Sequence, residues 1–254
     1  MPDMSLGTVL RRHGSVHFDL DGVLLYSNEL KVRCMVDAIA SLGAQVVGPF
    51  VAEFRRSFGR SRFEHFRRLY CHHLGGDERG WKEFYAVYGG AYGALVRSRY
   101  ADAPLCAHAA ELVARLAAAG VPMTVVTGTP TAEAVAVLEA NGLASAFTAI
   151  LGGEQPKPVR IGEALAATRT DHLGAIFLGD SLADLQAANQ RRVQFVFVGR
   201  YSLDPDVPQL AAMRREQVLV VRDLDPAGEP EVVGGTVSPL RPVSRFVPDL
   251  ALAA

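Results

Sequence analysis

The chain has 254 residues, 49% hydrophobic and 21% charged, with a formal net charge of −1. This is the composition of a globular protein large enough for one big domain, or for a core with a smaller domain inserted, and its balanced charge gives no general attraction to nucleic acid or an anionic membrane. Three cysteines, Cys34, Cys71 and Cys106, stand far apart with no C-x-x-C pair. That argues against a zinc site or a disulfide framework, and for small buried hydrophobes in a reducing cytoplasm.

No apolar stretch of signal-peptide length precedes Arg11-Arg12, and no run approaches a membrane span, which again points to the cytoplasm. Val16–Leu20 reads as a short buried strand. From about Asn28 to Ala103 the chain turns aromatic and arginine-rich. Its apolar residues recur at three- and four-residue spacing, which predicts four helices. "ADAPLCAHAAELVARLAAAG" predicts a helix ending at Gly120, and "VPMTVVTG" a strand over 121–128. "TPTAEAVAVLEANG" is a helix with Thr129 as a possible N-cap, Pro130 in the first turn and Gly142 at its end. A strand over 147–151, a helix over 158–168, a strand over 175–178, a helix in "SLADLQAANQ" with Ser181 as its N-cap, and a strand over 193–198 follow. From about Asp223 the chain is rich in Pro and Gly, as a loose tail or a segment packed in extended form.

Strands alternating with helices of about ten residues imply βαβ units, and apolar runs without alternation imply a parallel sheet covered on both faces. The expected fold is α/β, a Rossmann-like doubly wound parallel sheet. Residues 1–27 and 104–222 would form the core, 28–103 an inserted α-helical domain, and 223–254 a C-terminal extension.

Four features fall at the ends of predicted parallel strands: Asp19 and Asp21, Thr127-Gly128, Lys157 in "GGEQPKP", and Asp180 with Asp184 in "LGDSLAD". In open α/β sheets ligands bind beyond the carboxyl ends of the strands, so these residues are expected in one crevice. Clustered carboxylates need a cation, and hard oxygen ligands suit Mg²⁺, which takes substrate phosphate oxygens as well. Lys157, the Thr127 hydroxyl and backbone N–H groups of the turns, Gly128 among them, would hold the phosphate. One carboxylate is then free to attack phosphorus, and a second can pass protons to the leaving oxygen and from water. Each residue also has an ordinary reading. Asp21 can be a turn residue before Gly22, Thr127 a helix cap, Lys157 a solvated loop lysine, and Asp184 a partner of its helix dipole.

"FDLDGVL", "VVTGTP", "QPKP" and "LGDSLAD", in this order and spacing, resemble the four motifs of the haloacid dehalogenase-like superfamily: D-x-D-G-[VT]-[LV], an apolar strand ending in Ser/Thr, a Lys, and G-D-x-x-x-D. The match runs roughly from Val16 to Gly199. The helical insertion looks like the small α-helical cap of the phosphoglycolate phosphatase and β-phosphoglucomutase branch. The resemblance implies Asp19 as nucleophile and Asp21 as general acid/base that also offers its backbone carbonyl to Mg²⁺. It implies Asp180 as a metal ligand, Asp184 as a direct or water-mediated one, and Thr127 and Lys157 as phosphoryl holders. "QPKPVRIGEAL" departs from the commoner K-P-x-P-x-x-[FY] pattern around Lys157. More narrowly, "DGVLLYSNELK", "GRSRFEHF" and "VTGTP" look like phosphatases encoded among bacterial sugar and capsule biosynthesis genes.

In the cap, Arg55, Arg56, Arg60, Arg62, Arg67 and Arg68, with His65, His72 and His73, read as a solvated helix face. In a sharper reading Arg60 or Arg62 projects over the crevice to meet a second anionic or polyhydroxyl part of the substrate, and Asn28 and Lys31 do the same from the cap entrance. The His72-His73 pair is read as surface. Trp81, Tyr85, Tyr88 and Tyr92, at helical spacing, suit core or a dimer interface. Within the resembled family Asp21 argues against a dehalogenase or a phosphonoacetaldehyde hydrolase. The expectation is a Mg²⁺-dependent phosphatase acting on a small sugar, polyol or cyclitol phosphate, monomeric or homodimeric. The cap would hinge at Tyr26–Asn28 and Arg99–Ala103. Alternatives are a sugar phosphomutase, a catalytically silent interaction protein, and a nucleic-acid-binding module, the last opposed by the balanced charge and the lack of any reading motif.

Overall fold

The computed structural model describes residues 4–234. The chain begins with helix α1 (Leu6–Arg11) and strand β1 (Ser15–Phe18), every residue of which is buried. Then come α2 (Asn28–Ile39), α3 (Ala44–Arg56), α4 (Arg62–Arg68), α5 (Glu78–Phe84), α6 (Gly90–Tyr100) and α7 (Ala109–Ala118). The remainder alternates: β2 (Met123–Val126), α8 (Thr131–Ala140), β3 (Ala149–Leu151), α9 (Lys157–Thr168), β4 (Ala175–Gly179), α10 (Leu182–Arg191), β5 (Gln194–Val198), α11 (Val207–Met213), β6 (Val218–Val221) and β7 (Glu231–Val233). The sheet order is β3-β2-β1-β4-β5-β6-β7, parallel except for β7, which runs antiparallel to β6. This is the Rossmann-like α/β class expected.

The two faces are filled independently. On β4, Ile176 and Leu178 join a core that includes Leu10, Leu112 and Leu138, while Ala175 and Phe177 join Ile161, Leu185 and Ala211. Thus α1, α7 and α8 cover one face and α9, α10 and α11 the other, which is why the strands are apolar at every position. Phe18 of β1 pairs in register with Val125 of β2 and Leu178 of β4, so Asp19, Thr127 and Asp180 leave the sheet at the same edge.

The insertion has the four expected helical rods. α4 continues through a π-helical turn at Leu69–His73, and α5 passes through Tyr85–Gly89 into α6. Phe50, Phe54, Phe66, Phe84 and Tyr92 form its interior, and Trp81 and Tyr85 stack at 5.2 Å. Ser61 caps α4 with Glu64 in a reciprocal capping box.

Several expectations are corrected. Sequence periodicity was silent on α1, α11, β6 and β7. The segment after Asp223 is packed in extended form as far as residue 234: β7 edges the sheet, and the carbonyls of Gly228 and Pro226 accept from the N–H groups of Leu6 and Gly7. The rest of the expected extension lies outside the described residues. Thr129 does not cap α8, which starts after Pro130. Its hydroxyl points instead to Asp21. The basic run is solvated in part, with Arg56 and Arg60 exposed, but several of its members are paired. Arg55 makes two 2.7 Å bonds to Glu29, Arg68 pairs with Glu53, and Arg62 reaches Glu133 at 2.6 Å. His73 is half-buried, 2.8 Å from the other Glu53 oxygen, and His65 is buried.

Two histidines are held uncharged. His17 Nδ1 lies 2.8 Å from Thr124 Oγ1, and burial lowers its pKa to about 4. His65 packs edge-on against Phe54 at 4.6 Å. Burial first, then the charges of Arg60 and Arg68, lowers its pKa to about 3. The unfolded chain binds protons at both below about pH 6.5, so stability falls as pH drops from there toward the folded-state values. At pH 5 each histidine costs about 2 kcal/mol relative to pH 7. Urea unfolding of His65→Leu at the two pH values is expected to show a pH dependence flatter by about that amount; an unchanged slope would mean that His65 is protonated in the fold.

Candidate active site

β1 stops before Asp19, whose N–H donates to the Leu178 carbonyl at 2.8 Å and so fixes it against β4. The chain then turns through Gly22 at φ +80°, where a side chain would overlap Asp180 Oδ2 and Asn28 Nδ2. Only glycine lets the two strand ends approach this closely. Asp180 follows β4. Asp184 lies in the first turn of α10, where its Oδ2 accepts from the Ser181 N–H at 3.1 Å and the Ser181 hydroxyl at 2.5 Å. Ser181 is the helix cap expected.

Asp19, Asp180 and Asp184 each bring a carboxylate oxygen within 4.8 Å of the others, and all three are buried. Among the described residues, Oδ1 of Asp19 and Oδ1 of Asp180 receive no hydrogen bond. Asp180 Oδ2 accepts from Asn28 Nδ2 at 2.7 Å. Lys157 donates to Asp184 Oδ1 and stands 3.3 Å from Asp19 Oδ1. Burial, then repulsion from Asp184, raises the Asp19 pKa to about 7. Burial and repulsion from Asp184 and Asp19 raise Asp180 well above the usual carboxylate range. Burial opposes the charge on Lys157, but Asp184 and Asp19 outweigh it and its pKa is raised.

Asp21 lies in the opposite environment. Its Oδ1 accepts from Ser27 Oγ at 2.6 Å and Tyr100 Oη at 2.7 Å. Its Oδ2 accepts from Lys31 Nζ at 2.5 Å and Thr129 Oγ1 at 2.9 Å. Burial alone would raise its pKa, but Lys31 and these donors more than offset that and lower it. Two carboxylates two residues apart are thus pushed to opposite sides, one toward carrying a proton and one toward its ionised form.

Thr127 is fully buried, with its Oγ1 accepting from the Thr129 N–H at 3.1 Å. Gly128 faces the insertion: a Cβ there would sit 2.5 Å from the Arg60 carbonyl oxygen. Between them is a cavity of about 40 Å³ lined by Asp19, Asp21, Lys31, Arg60, Arg62 and His65 among others. Of the expected site residues, Asp19, Asp21 and Gly128 line this cavity; Asp180 and Asp184 lie beside Asp19 in the carboxylate cluster, Lys157 pairs with Asp19 and Asp184, and Thr127 directly precedes Gly128, but these four are not among the lining residues. The structure sets Lys31, Arg60 and Arg62 on the cavity wall. Asn28 is not among the lining residues. It is buried under Asp180 and also donates to the Tyr201 carbonyl at 3.0 Å. Sequence reasoning passed over Ser27, Tyr100, Thr129 and Arg160. Thr129 sits inside the "VVTGTP" motif, which was the one available signal.

A family model for haloacid dehalogenase-like hydrolases matches residues 16–198. A phosphoglycolate phosphatase of Pectobacterium atrosepticum is 36% identical over 85 residues, which is 31% of this chain and 36% of that protein, so the likeness spans little more than a third of the relative. Among solved structures, a β-phosphoglucomutase from Clostridium difficile has a TM-score of 0.65 at 17% identity, covering 84% of this chain and 92% of its own. A hydrolase from Pseudomonas syringae has a TM-score of 0.65 at 20% identity, covering 84% and 94%. At these identities the structures share the fold. Among the described residues no helix is long and apolar enough to cross a membrane.

Three buried carboxylates repel one another when nothing compensates them. In metal-free buffer Asp180→Asn is expected to be more stable than the wild type at pH 8 in urea unfolding. The gain should shrink at pH 5, because a carboxyl whose folded pKa is raised costs stability increasingly as pH rises. A destabilised Asp180→Asn protein at pH 8 would contradict this electrostatic account.

Proposed function

The chain belongs to the haloacid dehalogenase-like hydrolase family, and within it we propose a Mg²⁺-dependent phosphatase acting on a small phosphomonoester through an aspartyl phosphate. The observation that carries the reading is the Asp19 Oδ1 atom: buried, without a hydrogen-bond donor among the described residues, and 3.3 Å from an ammonium group. An oxygen in that position is free to bond to phosphorus. The phosphatase named among the relatives supports the reaction class.

The donor set suits a hard divalent cation. Three carboxylates converge, two of them keep an unpartnered oxygen, and burial makes their shared charge costly without one. Asp19, Asp180 and Asp184 would hold Mg²⁺, with the Asp21 backbone carbonyl as a further oxygen. When bound, the ion neutralises these carboxylates and draws charge from the phosphoryl oxygens. Lys157, the Thr127 hydroxyl and the Gly128 N–H hold the phosphoryl group in line with Asp19.

An Asp19 oxygen forms a bond to phosphorus as the ester P–O bond breaks, and the leaving oxygen takes a proton from the Asp21–Lys31 pair. Water then attacks phosphorus while giving a proton back to that pair, and Asp19 departs as a carboxylate. Residues 28–103 act as a cap over the core formed by 1–27 and 104–222. They hinge at Tyr26–Asn28 and Arg99–Ala103 and exclude bulk water while the bond is transferred. The small cavity fits a compact leaving group. Lys31, Arg60, Arg62 and His65 on its wall fit hydroxyls or a second anion, hence a sugar, polyol or cyclitol phosphate.

The deciding measurement is phosphate release across sugar, polyol, cyclitol and glycolate phosphates. One ester is expected to be cleaved well, only with Mg²⁺, and Asp19→Asn should lower kcat by at least about a thousandfold. Unchanged turnover in that variant would sink the nucleophile assignment, and isomerisation without phosphate release would mark a mutase. Mg²⁺ affinity, measured by calorimetry, should weaken as pH falls below 7, because protons on Asp19 and Asp180 compete with the ion. A pH-independent affinity between 6 and 8 would remove those carboxylates from the ligand set.

A further inference from the structure

We infer that Arg160 is a positioning residue for the transferred phosphoryl group, pinning the Thr127–Gly128 peptide and setting a second buried cation beside Lys157. The inference rests on the phosphoryl-transfer reading and adds to it a residue outside the resembled K-P-x-P pattern, which has proline where Arg160 stands.

Arg160 lies one turn after Lys157 on α9 and is only 2% exposed. Its Nε donates to the Gln155 carbonyl at 2.7 Å and its Nη1 to the Thr127 carbonyl. Among the described residues it forms no ion pair with any carboxylate. A buried guanidinium is always charged, and two carbonyl oxygens do not neutralise it. If packing were its role, an apolar side chain would fill the space without that desolvation cost. Burial lowers the pKa of its guanidinium, and Asp19 and Asp184, the same two carboxylates that face Lys157, act against that. Both of its hydrogen bonds go to backbone carbonyls.

Those bonds have a geometric consequence. The Thr127 carbonyl and the Gly128 N–H belong to one trans peptide, so they point in opposite directions from one plane. Fixing the oxygen fixes where the N–H aims. Among the described residues nothing accepts that N–H, and Gly128 lines the cavity. A cation on the carbonyl also polarises the peptide and strengthens the N–H as a donor to an anion. Arg160 thus links the loop after β3 to the turn after β2 and prepares one donor and one charge for a phosphate.

The test compares wild type with Arg160→Met and Arg160→Lys. The readouts are thermal unfolding in phosphate-free buffer, calorimetric binding of inorganic phosphate with Mg²⁺ present, and kcat and KM for the best ester found in the panel. The expected result is Arg160→Met at unchanged or higher melting temperature, with phosphate bound at least thirtyfold more weakly and kcat/KM lowered a hundredfold or more. Arg160→Lys, with the charge but not the paired carbonyl bonds, should fall between. Phosphate affinity and kcat/KM within threefold of wild type in Arg160→Met overturn the inference. If Arg160→Met does not fold, Arg160→Lys decides: a tenfold weaker phosphate affinity supports the role and one within threefold overturns it. A wild-type protein that neither binds phosphate nor cleaves any ester overturns the phosphoryl reading itself, and this inference with it.

Discussion

The structure turns on three carboxylates that share a dry site. Asp19, Asp180 and Asp184 lie within reach of one another because parallel pairing of β1 with β4 aligns their ends and because Gly22 has no side chain to hold them apart. Like charges at this spacing and burial are unfavourable. Everything around them reduces that cost: the Lys157 ammonium on Asp184, the Asn28 amide on Asp180, the Ser181 cap on the other Asp184 oxygen. Asp19 Oδ1 keeps only the nearby Lys157 charge and no hydrogen bond, and Asp180 Oδ1 receives no hydrogen bond among the described residues.

A second constraint separates Asp19 from Asp21. The side chains are two residues apart, yet one is surrounded by carboxylates and the other by donors. Four donors converge on Asp21, and two of them, Lys31 and Tyr100, come from opposite ends of the helical insertion. Ser27 sits at the junction itself and Thr129 in the turn after β2. The ionisation of Asp21 is therefore tied to contacts spanning both parts of the chain, whereas that of Asp19 depends on burial and on its neighbours Asp184 and Lys157.

This division also explains what could be read without coordinates. The buried strands were legible because each is a contiguous apolar run, and the site motifs because each follows its strand at once. α1, β6 and β7 were not, since their places depend on distant partners: Leu6 and Gly7 bond to Gly228 and Pro226, and β7 is short and exposed. Thr129 looked like a helix cap because caps and side-chain donors use the same residue types, and only Asp21, 108 positions away in sequence, distinguishes them. The basic run looked solvated because ion pairs between helices, such as Arg55 with Glu29 or Arg62 with Glu133, leave no periodic trace. His65 was hidden for the same reason: its neighbour Phe54 belongs to another helix.

The contacts across the crevice follow from these two constraints together. The Arg60 carbonyl rests where a Gly128 side chain would be, and a side chain at Gly59 would meet the Ser181 hydroxyl that caps the Asp184 helix. Arg62 and Arg97 both reach Glu133 on α8. The insertion thus touches the core at the turn after β2, at the start of α10 and at Glu133, besides the Lys31 and Tyr100 bonds to Asp21. Moving residues 28–100 as a body would break these contacts as a set. It would also remove two of the four donors on Asp21. The lysine and tyrosine that hold the charge of Asp21 thus come from the first and last helices of the segment between β1 and α7, so the ionised form of Asp21 depends on that segment staying packed against the core.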